Sequence, residues 1–225
     1  MRMLFTAAKL LIAITLLAEV AVASPEVDAR LAERLAPETL GRVAVLVDSA
    51  RRETLPTEPL IQKALEGVTK GADGERIAWA VHSLLDRLRL AREILGPAAP
   101  APELTAAASA LYAGVDTTIL GQLHDATLRA AADTSSAPTL TVELVVLSDL
   151  IARGVPPASA SELVLSLTSA GVADATLLEF RRSVEYDIGR GRPPLEAAES
   201  WTRGALSRGP APQAVPSSGP DRKIR

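Results

Sequence analysis

The sequence contains no cysteine among its 225 residues, only two histidines, and only 3% aromatic residues. The absence of cysteine excludes disulfide bonds, thiolate catalysis and cysteine-ligated metal sites. So few aromatic residues, spread along the chain, cannot form a stacking platform for nucleic acids or sugars. The net charge of −3 also argues against a nucleic-acid partner. We therefore expect no nucleic-acid binding.

Residues 1–23 have the layout of a secretory signal peptide. Positive charge comes from Arg2 and Lys9, and an apolar run follows from Leu10 to Ala18. This run is shorter than the ~20 residues that a membrane span needs, and Glu19 interrupts it, which disfavours the alternative of an uncleaved anchor. The small residues of Ala21-Val22-Ala23 then form a cleavage signal. The sequence predicts cleavage after Ala23, export to the periplasm or the cell exterior, and no transmembrane span in the mature chain.

The apolar periodicity is helical almost throughout and predicts an all-α fold. The clearest pattern lies in residues 73–95, where the expected buried face consists of Ile77, Val81, Leu84, Leu88, Ala91 and Leu95. On the opposite face, Arg89 is expected to pair with Asp86 and Glu93. The nine predicted helices cover residues 37–53, 57–70, 73–95, 103–113, 117–132, 139–153, 158–170, 174–189 and 194–206.

The domain organisation follows from composition. One all-helical domain is predicted over residues 24–206. The Pro/Ala-rich connection at residues 96–102 is a possible boundary between sub-units 24–96 and 103–206. Residues 207–225 have no apolar periodicity and are predicted to form a disordered tail.

Two kinds of short link punctuate the helices. Gly71-Ala72-Asp73, Gly114-Val115-Asp116 and Gly171-Val172-Ala173-Asp174 combine a glycine suited to a helix end with an aspartate suited to the next N-cap. Leu55-Pro56, Val155-Pro156 and Arg192-Pro193 use proline, which cannot continue a helix but fits the start of one. Such short links predict stacked helical hairpins, in a solenoid-like array or an irregular bundle.

A displacement of 100 residues aligns parts of the chain without gaps. It matches Leu40 with Leu140, Val45 with Val145, Pro56 with Pro156, Leu65 with Leu165 and Gly71 with Gly171. These matches suggest a two-fold internal duplication. The alternative is that any helical protein with short loops needs similar punctuation.

The segment from Leu140 to Val146 is rich in β-branched residues, but a lone strand would have no partner, so we predict a largely buried helix. Glu143 lies within it. Burial there would raise the pKa of its carboxyl group. The favoured interpretation is that Glu143 lies on the exposed stripe of this helix, on the same side as Ser148.

Residues with catalytic or metal-binding potential are few. His82 and Asp86 are one helical turn apart but lack a third ligand nearby, and His124-Asp125 is a weaker pattern still. No Gly-x-Ser-x-Gly motif is present. The segment Gly189-Arg190-Gly191-Arg192 lacks the spacing of a phosphate-binding loop and is interpreted as a helix end. We therefore assign no catalytic, cofactor-binding or metal-binding residues, and we expect no cofactor.

The sequence favours a non-enzymatic exported protein that binds another protein or an envelope component. Stacked hairpins leave grooves that suit partner segments, here beside residues 73–95 and 142–153. Trp79 and Trp201 are both interpreted as partial core fillers. One alternative is a small-molecule carrier with an apolar cavity. The other is a hydrolase-type enzyme, which would require His82 or His124 to lie in one cleft with a Glu or Asp, within hydrogen-bond reach. The sequence does not indicate the oligomeric state.

Overall fold

The computed structural model describes residues 25–131 and 139–208, and the regular structure of these residues is entirely α-helical. The helices are α1 (Pro25–Ala32), α2 (Pro37–Arg52), α3 (Glu58–Thr69), α4 (Gly74–Leu95), α5 (Ala101–Tyr112), α6 (Thr117–Ala131), α7 (Thr141–Ala152), α8 (Pro157–Ser169), α9 (Asp174–Gly189) and α10 (Pro194–Arg208). The all-α prediction is confirmed. The nine predicted helices correspond to α2–α10, while α1 is too short for its periodicity to be recognised.

The observed helix boundaries bear on three of the predicted segments. The predicted signal peptide lies outside the described residues, as does the predicted tail beyond Arg208. Helix α10 includes Ser207 and Arg208, which the sequence assigned to that tail. Helix α5 begins at Ala101, inside the predicted connection, because Pro102 is accommodated in the first helical turn, where no backbone N–H is needed.

The helices form a layered array. Helices α2 and α3 pack against α4, and α4 packs against α5. From α5 onward, each helix packs against the next but one, so α5, α7 and α9 form one layer and α6, α8 and α10 form the other. A continuous apolar core runs through the array, and Leu95 and Leu104 on either side of the Pro/Ala-rich connection both belong to it.

Helix α4 shows how closely periodicity predicts burial. Five of the six predicted positions are buried, but Leu85 is fully buried where Leu84 was expected, and Leu84 is half-buried. The difference arises because α4 contacts α2 and α3 as well as α5 and α6, which widens its buried face. Arg89 pairs with Asp86 at 3.1 Å as predicted, but its second partner is Glu53 at 2.6 Å rather than Glu93. Glu53 ends α2, so this pair joins two helices.

Six links between helices share one geometry. In each, a residue with positive φ is followed by a residue whose N–H donates to the carbonyl five residues earlier, the Schellman helix end. The positive-φ residues are Thr54, Gly71, Gly114, Gly154, Gly171 and Gly191. The two predicted kinds of link, with glycine-aspartate and with proline, are therefore variants of one structure.

Two of the three aspartates that were predicted to cap a helix do so. Asp73 accepts a hydrogen bond from the Arg76 N–H at 2.8 Å, and Asp116 accepts one from the Thr118 N–H at 2.7 Å. Asp174 is not a cap, because the N-cap lies two residues after the positive-φ residue, where this link carries Ala173. Asp174 is instead the first residue of α9.

The link geometry predicts opposite effects for two glycine substitutions. Gly171→Ala is expected to lower the free energy of unfolding by about 1 kcal/mol, because φ is +69° there and a Cβ atom disfavours this region. Gly121→Ala lies inside α6 with no atom within 4 Å of the new Cβ, so it is expected to raise stability by roughly 0.5–1 kcal/mol. Urea denaturation of both variants measures the effects. Equal signs would contradict the assigned helix end.

The shared links also define equivalent positions in the core. Twelve residues before the donor residue of each link lies a buried side chain, which we call the shared core position. Its occupants are Val43, Leu60, Glu103, Glu143, Ala160 and Phe180. Displacement by 100 residues relates Val43 to Glu143 and Leu60 to Ala160, and the same position is also buried in α5 and α9.

Candidate functional site

An open groove of about 730 Å³ lies between α3 and α4 and extends to the end of α5. The sequence predicted a binding groove beside residues 73–95, which is where this groove lies. Its charged lining consists of four cations and two acids, namely Lys63, Lys70, Arg76, Arg87, Glu66 and Glu75. The groove also contains two of the most exposed large side chains of the described chain.

These exposed side chains are aromatic. Trp79 is 72% exposed and Tyr112 is 71% exposed. The prediction that Trp79 fills part of the core is wrong. Trp79 lies two residues after the buried Ile77, and two residues correspond to about 200° around a helix, so Trp79 points away from the core. Both rings are therefore available at the wall of the groove.

Arg87 is the most unusual cation in the groove. Its guanidinium carbon lies 4.9 Å from the centroid of the Tyr112 ring, a cation–π distance, and its Nη1 donates to Ser83 Oγ at 2.9 Å. Its buried Nε has no hydrogen-bond partner. Burial lowers the pKa of Arg87 below its usual range, although the group stays protonated. Within the described chain, no carboxylate forms a salt bridge with it.

The two lysines are already paired. Glu66 accepts hydrogen bonds from both Lys70 and Lys63, the latter at 2.9 Å. These hydrogen bonds lower the pKa of Glu66 to about 2, so its carboxylate stays ionised and offsets the lysine charge. Arg76, like Arg87, forms no salt bridge within the ranges that the structure describes. The groove therefore presents two unpaired guanidinium groups beside two exposed rings.

A second, smaller cavity of about 270 Å³ lies where the end of α4 meets α5, α6 and the start of α7. Three polar side chains line it: Glu103, His124 and Thr127. Glu103 is only 5% exposed, and the backbone N–H of Leu140 favours the ionised form of its carboxyl group. Thr127 is 8% exposed, and its buried Oγ1 has no hydrogen-bond partner.

The ionisation of Glu103 reflects two opposing influences. Burial raises the pKa of its carboxyl group, while the nearby His124 lowers it. His124 and Glu103 thus line the same cavity, but they form neither the hydrogen bond nor the salt bridge that the enzymatic alternative required. His124 does not act together with Asp125, which is exposed. The remaining lining is apolar, and includes Leu95, Leu128 and Leu140.

The prediction that Glu143 lies on an exposed stripe is wrong. Helix α7 packs against α5, α8 and α9, which leaves only a narrow exposed face, and Val145 occupies that face. Glu143 is 5% exposed, and its Oε2 has no hydrogen-bond partner. Burial, together with the neighbouring acids Asp174 and Glu103, raises the pKa of Glu143 to about 7.

The other residues considered from the sequence lie apart from both cavities. His82 is 57% exposed and contacts Asp86 through an Nδ1–Oδ2 distance of 3.1 Å. Trp201 packs partly buried against Phe180, with ring centroids 4.8 Å apart, which confirms its predicted role in the core. The glycine–arginine segment at residues 189–192 ends α9, as predicted. No group of three metal-ligating side chains occurs in the part of the chain that the structure describes.

Sequence reasoning missed Arg87, Tyr112, Glu103 and Thr127. The groove residues come from three helices, and no local pattern brings α5 beside α3 and α4. A signal for Glu103 was available in principle. It lies at the shared core position, where most other helices carry an apolar residue.

No protein family matches the chain, and no curated protein or solved structure is significantly similar to it. Among the helices between residues 25 and 208, outside the gap at 132–138, none combines the length and apolar character that a membrane crossing requires.

Proposed function

We propose that this protein is exported and binds a partner protein in the groove between α3, α4 and α5, without catalysing a reaction. The observation that carries the proposal is the exposure of Trp79 and Tyr112 beside the half-buried, unpaired Arg87. Tryptophan, tyrosine and arginine are the residue types that most often dominate the binding energy of protein interfaces.

The exposure of the two rings to water is energetically unfavourable in the isolated protein. Each aromatic side chain can remove about 150–250 Å² of surface from water when it is buried. In the free protein, most of the surface of both rings remains in contact with water. A partner that covers Trp79 and Tyr112 would gain this burial while the backbone of the groove stays as it is.

The charges of the groove indicate the chemistry of the partner. Four cations face two acids, and the arginines have no carboxylate of their own. An acidic segment with at least one large apolar side chain would pair with Arg76 and Arg87 and cover the rings. The partner surface that fits is therefore an acidic segment of another protein.

Selection from a phage-displayed library of random peptides tests this chemistry. We expect the purified protein to enrich peptides that contain acidic residues beside an aromatic or leucine residue. Tyr112→Ala is expected to weaken binding of a selected peptide at least tenfold, as measured by fluorescence polarisation.

Tyr186→Ala provides a matched control for Tyr112→Ala. Tyr186 is also exposed, at 63%, and also contacts an arginine, with Arg190 5.5 Å from its ring, but it lies outside the groove. The control is expected to change the dissociation constant less than twofold. Equal losses in both variants, or enrichment of basic peptides, would contradict the proposed site.

The export proposal rests on the sequence of residues 1–23 and has its own test. When the full chain is produced in a Gram-negative bacterial host, we expect it in the periplasmic extract with an N-terminus at Ser24. N-terminal sequencing of the recovered protein decides the matter. Retention of Met1 in the cytoplasmic fraction would contradict export and would leave the groove proposal standing.

A further inference from the structure

Two glutamates occupy core positions that carry apolar residues elsewhere in the array. Glu103 of α5 and Glu143 of α7 lie at the shared core position, where Val43, Leu60 and Phe180 lie in other helices. All these positions are buried, so the fold does not require a carboxylate there. Among the six occupants of the shared core position, only those of the adjacent helices α5 and α7 are polar. The core between these two helices therefore differs in chemistry from the core elsewhere.

The charge balance of this region is negative. Because α5 packs against α7, the carboxyl groups of Glu103 and Glu143 interact, and Asp174 adds a third acid near Glu143. The groups that favour the ionised form of Glu103 are the His124 imidazole and the backbone N–H of Leu140. Within the described residues, no lysine or arginine is among the charges that influence either glutamate. The region is therefore suited to a cation.

Glu103 lines a cavity together with a second polar side chain that lacks a partner. Thr127 lines the same cavity, and its buried Oγ1 has no hydrogen-bond partner, although buried hydroxyl groups normally form hydrogen bonds. Most of the remaining wall is apolar. An apolar cavity with two or three convergent polar groups is the usual form of a small-molecule site.

We propose that this cavity binds a small organic ammonium ion. The ammonium group donates hydrogen bonds to the Glu103 carboxylate and to Thr127 Oγ1, and the hydrocarbon part contacts Leu95, Leu128 and Leu140. The volume of about 270 Å³ limits the ligand to a small molecule, since typical sites for drug-sized ligands have about 300–1,000 Å³. A metal ion fits less well, because no cluster of three ligating side chains occurs among the described residues.

A set of probes of the same shape and different charge tests the proposal. Cyclohexylammonium, cyclohexanol and cyclohexanecarboxylate are titrated into the full-length protein at pH 7.5, and binding is followed by two-dimensional NMR. We expect cyclohexylammonium to bind at least tenfold more tightly than cyclohexanol, and cyclohexanecarboxylate to show no saturable binding. Shifts are expected at the amides of His124, Thr127 and Leu140. Equal binding of the three probes, or no binding of the ammonium, would overturn the proposal.

Variants assign the charge preference to its residue. Glu103→Gln removes the negative charge but keeps the size of the side chain and one of its oxygen atoms. It is expected to weaken cyclohexylammonium binding at least tenfold and leave cyclohexanol unchanged. Thr127→Val should weaken ammonium binding severalfold, while Asp86→Asn, an exposed control on α4, should have no effect. Undiminished binding by Glu103→Gln would overturn the proposal. If that variant fails to fold, the comparison of the three probes on the wild-type protein still decides it.

Discussion

Phe180→Ala is expected to lower the free energy of unfolding by about 3–5 kcal/mol. Phe180 is fully buried at the shared core position of α9, and its ring packs 4.8 Å from that of Trp201. Removing the ring loses its burial and leaves a cavity between α9 and α10. Because the chain has no disulfide, packing alone must resist this loss.

Urea denaturation followed by circular dichroism measures the effect. Tyr186→Ala is the control on the same helix, because Tyr186 is 63% exposed and its truncation is expected to change stability by less than ~0.5 kcal/mol. A similar small change in Phe180→Ala would contradict the packing of α9 against α10.

Glu143 is expected to give the protein an unusual dependence of stability on pH. The pKa of this carboxyl group is raised from 4.5 to about 7 in the folded chain. Between these values the unfolded chain releases the proton while the folded chain retains it, so the folded state loses stability as pH rises. Below pH 4.5 both states hold the proton, and above about pH 7 both have released it. The total loss is about 3 kcal/mol at pH values above the folded pKa.

The variant Glu143→Met isolates this effect, because an apolar side chain occupies the shared core position in α2 and α9. We expect the stability of Glu143→Met relative to the wild type to increase by about 3 kcal/mol between pH 4 and pH 8. Measuring this increase, rather than the absolute stability, removes the constant contribution of changed packing. A difference that does not vary with pH would show that Glu143 ionises normally and is solvated in the folded protein.

Acids that are paired at the surface have the opposite effect on how stability depends on pH. Hydrogen bonds from Arg89 lower the pKa of Glu53 to about 2, and those from Lys70 and Lys63 do the same for Glu66. These groups lose their stabilising effect as pH falls from about 4.5 towards 2. Both are partly exposed, so solvent screening keeps their contribution small. The fall in stability above pH 4.5 is therefore expected to be specific to buried acids.

The helices and links were predictable because their causes are local. A glycine with positive φ and a residue that caps the next helix lie within three positions of each other, as in Gly71-Ala72-Asp73. The periodicity of α4 predicted its buried face correctly except at Leu84, which is half-buried. These features depend on neighbours along the chain, which the sequence displays directly.

The surroundings of Trp79 and Glu143 were not predictable, because they depend on which helices pack together. Composition suggests that a tryptophan is buried and a glutamate is exposed. Here the register of α4 places Trp79 outside, and the contacts of α7 on three sides place Glu143 inside. The groove residue Tyr112 belongs to α5, which reaches α3 and α4 only through tertiary packing.

The central claim, that the α3–α4–α5 groove is the binding surface, is tested most directly by one affinity comparison. An acidic peptide selected by the wild-type protein is titrated against the wild type, Trp79→Ala and Tyr186→Ala, with circular dichroism confirming that each is folded. We predict that Trp79→Ala raises the dissociation constant at least thirtyfold, the equivalent of about 2 kcal/mol, and that Tyr186→Ala changes it less than twofold. A dissociation constant for Trp79→Ala within twofold of the wild-type value would contradict the claim.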